Sequence, residues 1–264
     1  MTIYSSLERP KAVCVTMKNI PILTEEIILG LEKSLQKFAQ ARYRETGLPF
    51  VTLKFAQTLD GKIATLTGDS KWISSLSSLR FAHQMRSIHD AVLVGVGTII
   101  RDDPRLNVRL IKGRNPKKII VDSRLRTPIN SNILKGNAAL STIIATTSLC
   151  DLEKIKRYES KGAEVLVIKK GRSNQVDLQN LLQELRKRNI RSVLVEGGSK
   201  IISSFLEKRL FDQLMVVIAP KILGRGMSYL DVSTPIRVNN LLSFSSFRYF
   251  RLDDDIILSA LAQM

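Results

Sequence analysis

The run Ala91-Val-Leu-Val94, followed at once by Gly95-x-Gly97-Thr98 and then by Asp102-Asp103-Pro104-Arg105-Leu106-x-x-Arg109, limits the possible folds more than any other stretch. Apolar residues in unbroken series predict a strand over 91–97 that is buried on both faces, as in a parallel sheet covered by helices. The two glycines let the backbone turn sharply or approach a ligand closely. A buried strand that delivers Gly, Thr, Asp and Arg to its carboxyl end is how α/β proteins build sites. An ordinary strand–turn with a solvated acidic loop is the alternative at this point.

The flanking sequence extends the pattern. Phe50 to Thr58 alternates well enough to be the first core strand, and Leu59-Asp60-Gly61-Lys62 is a turn. Ser74 to His89 reads as a helix with Leu76, Leu79, Phe81, Ala82, Met85 and Ile88 on its apolar side, which closes a β–α–β unit with the strand at 91–97. Strands are expected at 118–123, 142–146, 164–168, 192–195 and 212–219, with helices near 151–160, 177–188 and from Ser199 to Lys208. Arg248 to Leu252 and Ile256 to Leu261 read as a C-terminal antiparallel hairpin at a sheet edge. The fold class is α/β, with a central, mostly parallel mixed sheet flanked by helices. Ahead of it, Thr24 to Arg42 carries Ile27, Ile28, Leu31, Leu35 and Phe38 at helical spacing, with Thr24 as N-cap and Gly47-Leu-Pro49 as the stop. We therefore divide the chain into an N-terminal extension with an amphipathic helix, 1–45, and a body, 46–264.

Composition removes several classes. No apolar run approaches the roughly 18 residues of a membrane span, and the first ten residues lack the pattern of a signal peptide, so a cytoplasmic protein with no membrane partner is expected. Cys14 and Cys150 stand far apart in no metal or redox spacing, so no metal site is expected. Lys+Arg of 41 against Asp+Glu of 24 gives a net charge of +17, which attracts anions, whether nucleic acid or phosphorylated metabolites. The basic residues are scattered and no aromatics are interleaved among them, so a nucleic-acid partner is the second reading rather than the first.

Two glycine signals differ in value. Gly95-x-Gly97 has no third glycine where a dinucleotide fingerprint requires one, so that claim fails. Glu196-Gly197-Gly198-Ser199-Lys200 lies between a buried strand and a helix, where free N–H groups and the helix dipole favour a phosphate. Taken alone, such a junction is also an ordinary tight turn.

As a set, Leu59-Asp60-Gly61-Lys62, Gly68-Asp69-Ser70-Lys71-Trp72-Ile73-Ser74, Leu93-Val-Gly95-Val-Gly97-Thr98, Asp102-Asp103-Pro104-x-Leu106, Val121-Asp122-Ser123, Val195-Glu196-Gly197-Gly198 and Ala219-Pro220-Lys221-Ile222-Leu223-Gly224 resemble, in that order, the riboflavin-biosynthesis pyrimidine reductases. The resemblance covers 48–260 and implies a dihydrofolate-reductase-like fold. It also implies NADPH-dependent reduction of a ribosylaminopyrimidine 5′-phosphate to its ribitylamino form. In bacteria this domain commonly follows a zinc-dependent deaminase. The His-x-Glu and Pro-Cys-x-x-Cys pair of that deaminase do not occur here, and residues 1–45 resemble the tail of such a domain. Whether the substrate is the diamino or the deaminated pyrimidine stays open. A repurposed or inactive paralogue of the same fold is a third reading, and a homodimer is the expected assembly.

The resemblance also assigns residues. It places the cofactor against Ala56, Trp72, Thr98, Asp102, Ser123 and the turn Gly198, Ser199, Lys200, Ile201 onward to Ser204. Ala56 permits close approach, Trp72 offers a flat face, and the turn donates to a pyrophosphate. It places the substrate against Ser70, Arg86, Leu106, Arg109 and Glu196, with the two arginines suited to a phosphate by their planar forks. Lys54 and Asp102 are the catalytic candidates: Lys54 to protonate or polarise the ribose oxygen, Asp102 to act at the cofactor. A solvated strand lysine is the plain alternative for Lys54.

Overall fold

A computed structural model of the chain describes residues 20–69, 73–171, 174–228 and 242–263. In chain order the elements are α1 (Glu25–Thr46), β1 (Phe50–Thr58), β2 (Lys62–Thr65), α2 (Leu76–Ile88), β3 (Ala91–Gly95), α3 (Val96–Asp102), β4 (Lys117–Val121), β5 (Thr142–Thr146), α4 (Leu152–Glu159), β6 (Glu164–Val167), α5 (Leu178–Lys187), β7 (Ser192–Glu196), α6 (Ser199–Glu207), β8 (Gln213–Ala219), β9 (Gly226–Ser228), β10 (Phe244–Leu252) and β11 (Asp255–Ala262). Two short 3-10 turns, Asn132–Leu134 and Gly136–Ser141, precede β5.

The main sheet runs β10-β11-β8-β1-β7-β3-β4-β5-β6. From β8 to β6 every neighbouring pair is parallel, and β11 joins β8 antiparallel with β10 antiparallel beyond it. This is the mostly parallel α/β sheet with a C-terminal hairpin that the sequence predicts. The central strands β3, β5 and β7 are buried nearly end to end, which is why they read as continuous apolar runs. Two apolar layers cover the sheet. Leu53, Leu93, Val195, Leu181 and Phe205 lie in one, and Val94, Ile99, Ile120 and Ile133 in another cluster.

Caps explain several helix starts. The side chains of Thr24, Ser75, Asp151 and Asp177 accept from the N–H three residues on, satisfying donors that would otherwise be orphaned. Helix α1 runs to Thr46, four residues past the expected Arg42, and ends on Gly47 in the left-handed region. Its Leu31 packs with Phe81, Met85, Leu194 and Met215 of the body, and Leu35 and Ala39 pack on Phe50. Arg42 also reaches the buried carboxylate of Asp212 at 3.0 Å, so the helix is tied to the start of β8 by charge as well as by packing.

The structure departs from expectation in three places. The strand expected over 91–97 stops at Gly95 and α3 begins without a loop. A two-stranded antiparallel sheet, β2 with β9, lies apart from the main one. The hairpin strand β10 also starts earlier than expected, at Phe244.

Candidate functional site

The carboxyl ends of the parallel strands open into a cleft of about 870 Å³. Strand ends β1 and β7 bring Lys54 opposite Glu196 in register, so two charges of opposite sign are placed side by side by backbone pairing alone. Helix α2 adds Arg86, whose Nε and Nη2 donate to Glu196 Oε2 at 2.9 and 2.7 Å. The same guanidinium donates through Nη1 to Asn107 O at 3.4 Å. Glu196 is 8% exposed, and its other oxygen, Oε1, is buried with no hydrogen-bond partner. Burial opposes ionisation of this carboxyl, but Arg86 and Lys54 outweigh it and hold it below the usual carboxylate range. Lys54 also shifts downward, which for an ammonium disfavours the charged form. Desolvation lowers its ammonium, Glu196 raises it, and Arg86 lowers it again, for a net downward shift.

His83 stands one turn before Arg86 on α2 and completes this corner. It is fully buried, and its Nδ1 accepts from the Arg109 backbone N–H at 3.1 Å. Burial and the nearby Arg86 and Arg109 push its imidazole down to about 4, so the ring is neutral near pH 7 with its proton on Nε2. The Arg109 side chain lines the cleft and donates to Asn107 Oδ1 at 3.1 Å. Asn107 thus carries both expected phosphate arginines, one on its carbonyl and one on its amide.

The opposite wall is built of backbone and small side chains. Gly197 and Gly198 hold φ of +82° and +83°, and a Cβ added to either would stand 3.4 or 3.3 Å from Thr98 Oγ1. Thr98 Oγ1 is itself buried without a partner. Gly198 caps α6 with no side-chain hydrogen bond, so the first N–H groups of that helix are left for something else. A buried hydroxyl under a glycine cradle at a helix start fits the pyrophosphate of a dinucleotide.

Of the expected site residues, Lys54, Ala56, Thr98, Asp102, Arg109, Glu196, Gly198 and Ser199 line one cleft. Arg86 stands behind Glu196 with its fork spent on that carboxylate. Asp102 is half exposed beside Arg101, 3.5 Å from its Nε. Four others are not among the lining residues. Leu106 is 2% exposed in the apolar cluster under the loop, with φ of +50°. The Ser123 hydroxyl accepts from Val176 N–H at 3.0 Å. Ile201 is buried on the inner side of α6, while Lys200 faces outward. Ser70 and Trp72 lie outside the described residues. His83 and Asn107 were missed. His83 lies three residues from Arg86, a spacing that puts both on one face of α2 and is the signal that finds it. Among the described residues no cluster of His, Cys, Asp and Glu is built to hold a metal, and no helix is long and apolar enough to cross a membrane.

Comparison with known proteins gives the chain's relatives. The chain is 44% identical over 185 residues to the riboflavin biosynthesis protein RibD of Aquifex aeolicus (strain VF5), an alignment that takes in 70% of this chain and 50% of that protein. It is 40% identical over 179 residues to the 2,5-diamino-6-ribosylamino-4(3H)-pyrimidinone 5′-phosphate reductase of Methanothermobacter thermautotrophicus, covering 67% of this chain and 80% of that one. Among solved structures it is similar to Acinetobacter baumannii RibD, form 1, at 30% identity and a TM-score of 0.75, covering 86% of this chain and 62% of the other. The chain spans about half the length of the first RibD relatives it matches. The family model described as RibD C-terminal domain matches residues 49–250, and this chain belongs to that family.

Proposed function

We propose that the chain reduces a ribosylaminopyrimidine 5′-phosphate to the ribitylaminopyrimidine 5′-phosphate with NADPH. The observation that carries the reading is the unpartnered, buried Oε1 of Glu196, set beside a desolvated Lys54 in a cleft whose far wall is a glycine cradle. An ionised carboxylate oxygen buried without a donor costs several kcal/mol unless a ligand supplies one. The amino groups of a pyrimidine are donors of the required kind.

The cofactor, when bound, supplies a hydride. Thr98, Gly198 and Ser199 would hold its pyrophosphate, Ala56 would give it room, and Asp102 would accept from its ribose or amide. The protein's own work lies at the other corner. Glu196 fixes the pyrimidine, and Arg86 keeps that carboxylate ionised and aimed. Arg109 faces the 5′-phosphate. Lys54, its ammonium weakened by burial, delivers a proton at the ribose oxygen as the ring opens. With Arg86 spent on Glu196, the phosphate falls chiefly to Arg109.

The reaction unit is 46–264, with 1–45 an extension that α1 anchors; the working assembly is a homodimer in the cytoplasm. The test is to follow NADPH oxidation with the diamino and the deaminated ribosylaminopyrimidine phosphates in turn. Turnover with one of them, and a lower rate with NADH, is the expected result. Absence of turnover with both overturns the reading.

A further inference from the structure

On the far side of the loop 103–116 from the cleft lies a second groove, of about 410 Å³, bounded by that loop and by the 3-10 turns before β5. It shares only Arg105 and Asn132 with the cleft. Among its lining residues is Lys118, the second residue of β4, and this lysine is 4% exposed. The ammonium donates to Ala138 O at 3.0 Å and to Ser141 Oγ at 2.7 Å, two neutral oxygens that take two of its three protons. Burial lowers its pKa and Lys117 lowers it further, with no carboxylate acting against them.

The groove contains no acidic side chain among its lining residues, but it does contain Arg105 and Lys135. Its carboxamides are already oriented. The oxygen of Asn107 accepts from Arg109 at 3.1 Å, and that of Asn115 accepts from the Val108 N–H at 2.7 Å, so what both offer a ligand is N–H. Asp103, behind Asn132, is occupied by that residue's backbone and amide N–H groups. A buried cation with neutral partners is costly unless an anion completes it. Arg105, Lys135, Asn107 and Asn115 thus present positive charge and N–H donors to a recess the size of a small molecule, while Asn132 is spent on its neighbours, its amide on Asp103 and its oxygen on Lys135 Nζ at 3.2 Å.

We propose that this groove is a binding site for a small phosphate-bearing anion, either orthophosphate or a sugar phosphate, distinct from the catalytic cleft. Arginine and lysine supply charge, Asn107 and Asn115 supply directed donors, and Lys118 supplies a buried ammonium.

The test is calorimetric titration at low ionic strength with inorganic phosphate and, separately, ribose 5-phosphate, with no nicotinamide present, so that its outcome does not depend on the reductase reading. The expected result is a saturable event that persists within about twofold in Arg109→Gln, which removes one cation of the cleft but keeps an N–H donor for Asn107 Oδ1, weakens by roughly tenfold or more in Lys135→Ala, and disappears in Lys118→Met. Lys135 is exposed, with its Nζ donating to Asn132 Oδ1 at 3.2 Å, and truncation of an exposed side chain is expected to cost little stability, so that variant decides the matter even if Lys118→Met unfolds. Tighter binding of ribose 5-phosphate identifies an ester as the ligand, and equal binding identifies the free anion. Three results overturn the site: Lys135→Ala binding within twofold of the unaltered protein, loss of the event in Arg109→Gln, or displacement of phosphate by a single-stranded oligonucleotide with a steep salt dependence, which marks a nucleic-acid surface instead.

Discussion

The two walls of the cleft solve different problems with different materials. The Lys54–Glu196–Arg86–His83 side is made of ionisable side chains, all of them at least half buried: Arg86 is bonded to Glu196, Lys54 stands opposite Glu196 in register, and His83 accepts from the Arg109 backbone. The Gly197–Gly198–Thr98 wall carries no charge and works through backbone conformation and helix N–H groups. Charges that must change state during a reaction have to be desolvated to be tuned, and desolvated charges need partners. A group that only has to be held can be met by fixed dipoles, which need no titration and lose nothing to pH. Damage to the first wall should therefore register in stability and turnover, and damage to the second in affinity.

The largest effect is expected from the ion pair. Arg86→Met strands the Glu196 carboxylate without the fork that satisfies Oε2, and loss of one partner of a buried pair costs about 3–5 kcal/mol. Chemical denaturation with both protein forms measures it; a loss under about 1 kcal/mol would mean that the pair behaves as a surface contact. Next, Lys54→Met should lower kcat by roughly 100-fold or more, about 2.7 kcal/mol, with KM nearly unchanged, if the lysine acts only as the ribose is reduced. Steady-state kinetics distinguish this from a binding role, in which KM would rise and kcat would hold. The smallest effect belongs to the neutral wall. Gly198→Ala puts a methyl 3.3 Å from Thr98 Oγ1 at a positive φ, and should weaken NADPH binding by about tenfold, or 1.4 kcal/mol, while leaving kcat at saturating cofactor within a few-fold. If kcat collapsed instead, the two walls would not be separable.

The parts of this molecule that were legible in the sequence are those whose signal is local and strong. Strands β3, β5 and β7 announce themselves because both faces are buried, and α4 and α5 because Asp151 and Asp177 stand at their caps. Helix α3 was hidden: seven residues with a glycine inside have poor intrinsic propensity, and only packing of Val96 and Ile99 into the core holds them helical. Strands β2 and β9, four and three residues long, are too short for any periodicity. Within the site, the family resemblance located the strand-end residues that share the cleft, but not how they divide the work. That Arg86 serves Glu196, and that His83 serves Arg109, depends on rotamers and on a contact 26 residues apart in the chain, which no spacing rule encodes.

The two histidines carry a consequence for the whole molecule. His89, buried between Met85 O and Thr52 Oγ1, is pushed down to about 4 by desolvation, as is His83 by the same cause, and the chain has no other histidine. Histidine is the side chain that ordinarily exchanges protons between pH 5 and 8. Folding takes both imidazoles out of that window, so neither adds to the +17 counted with neutral imidazoles as the pH falls from 8 to 5. The histidine share of the attraction for phosphorylated anions is thereby removed from physiological swings in acidity, and salt concentration remains a variable that tunes the rest.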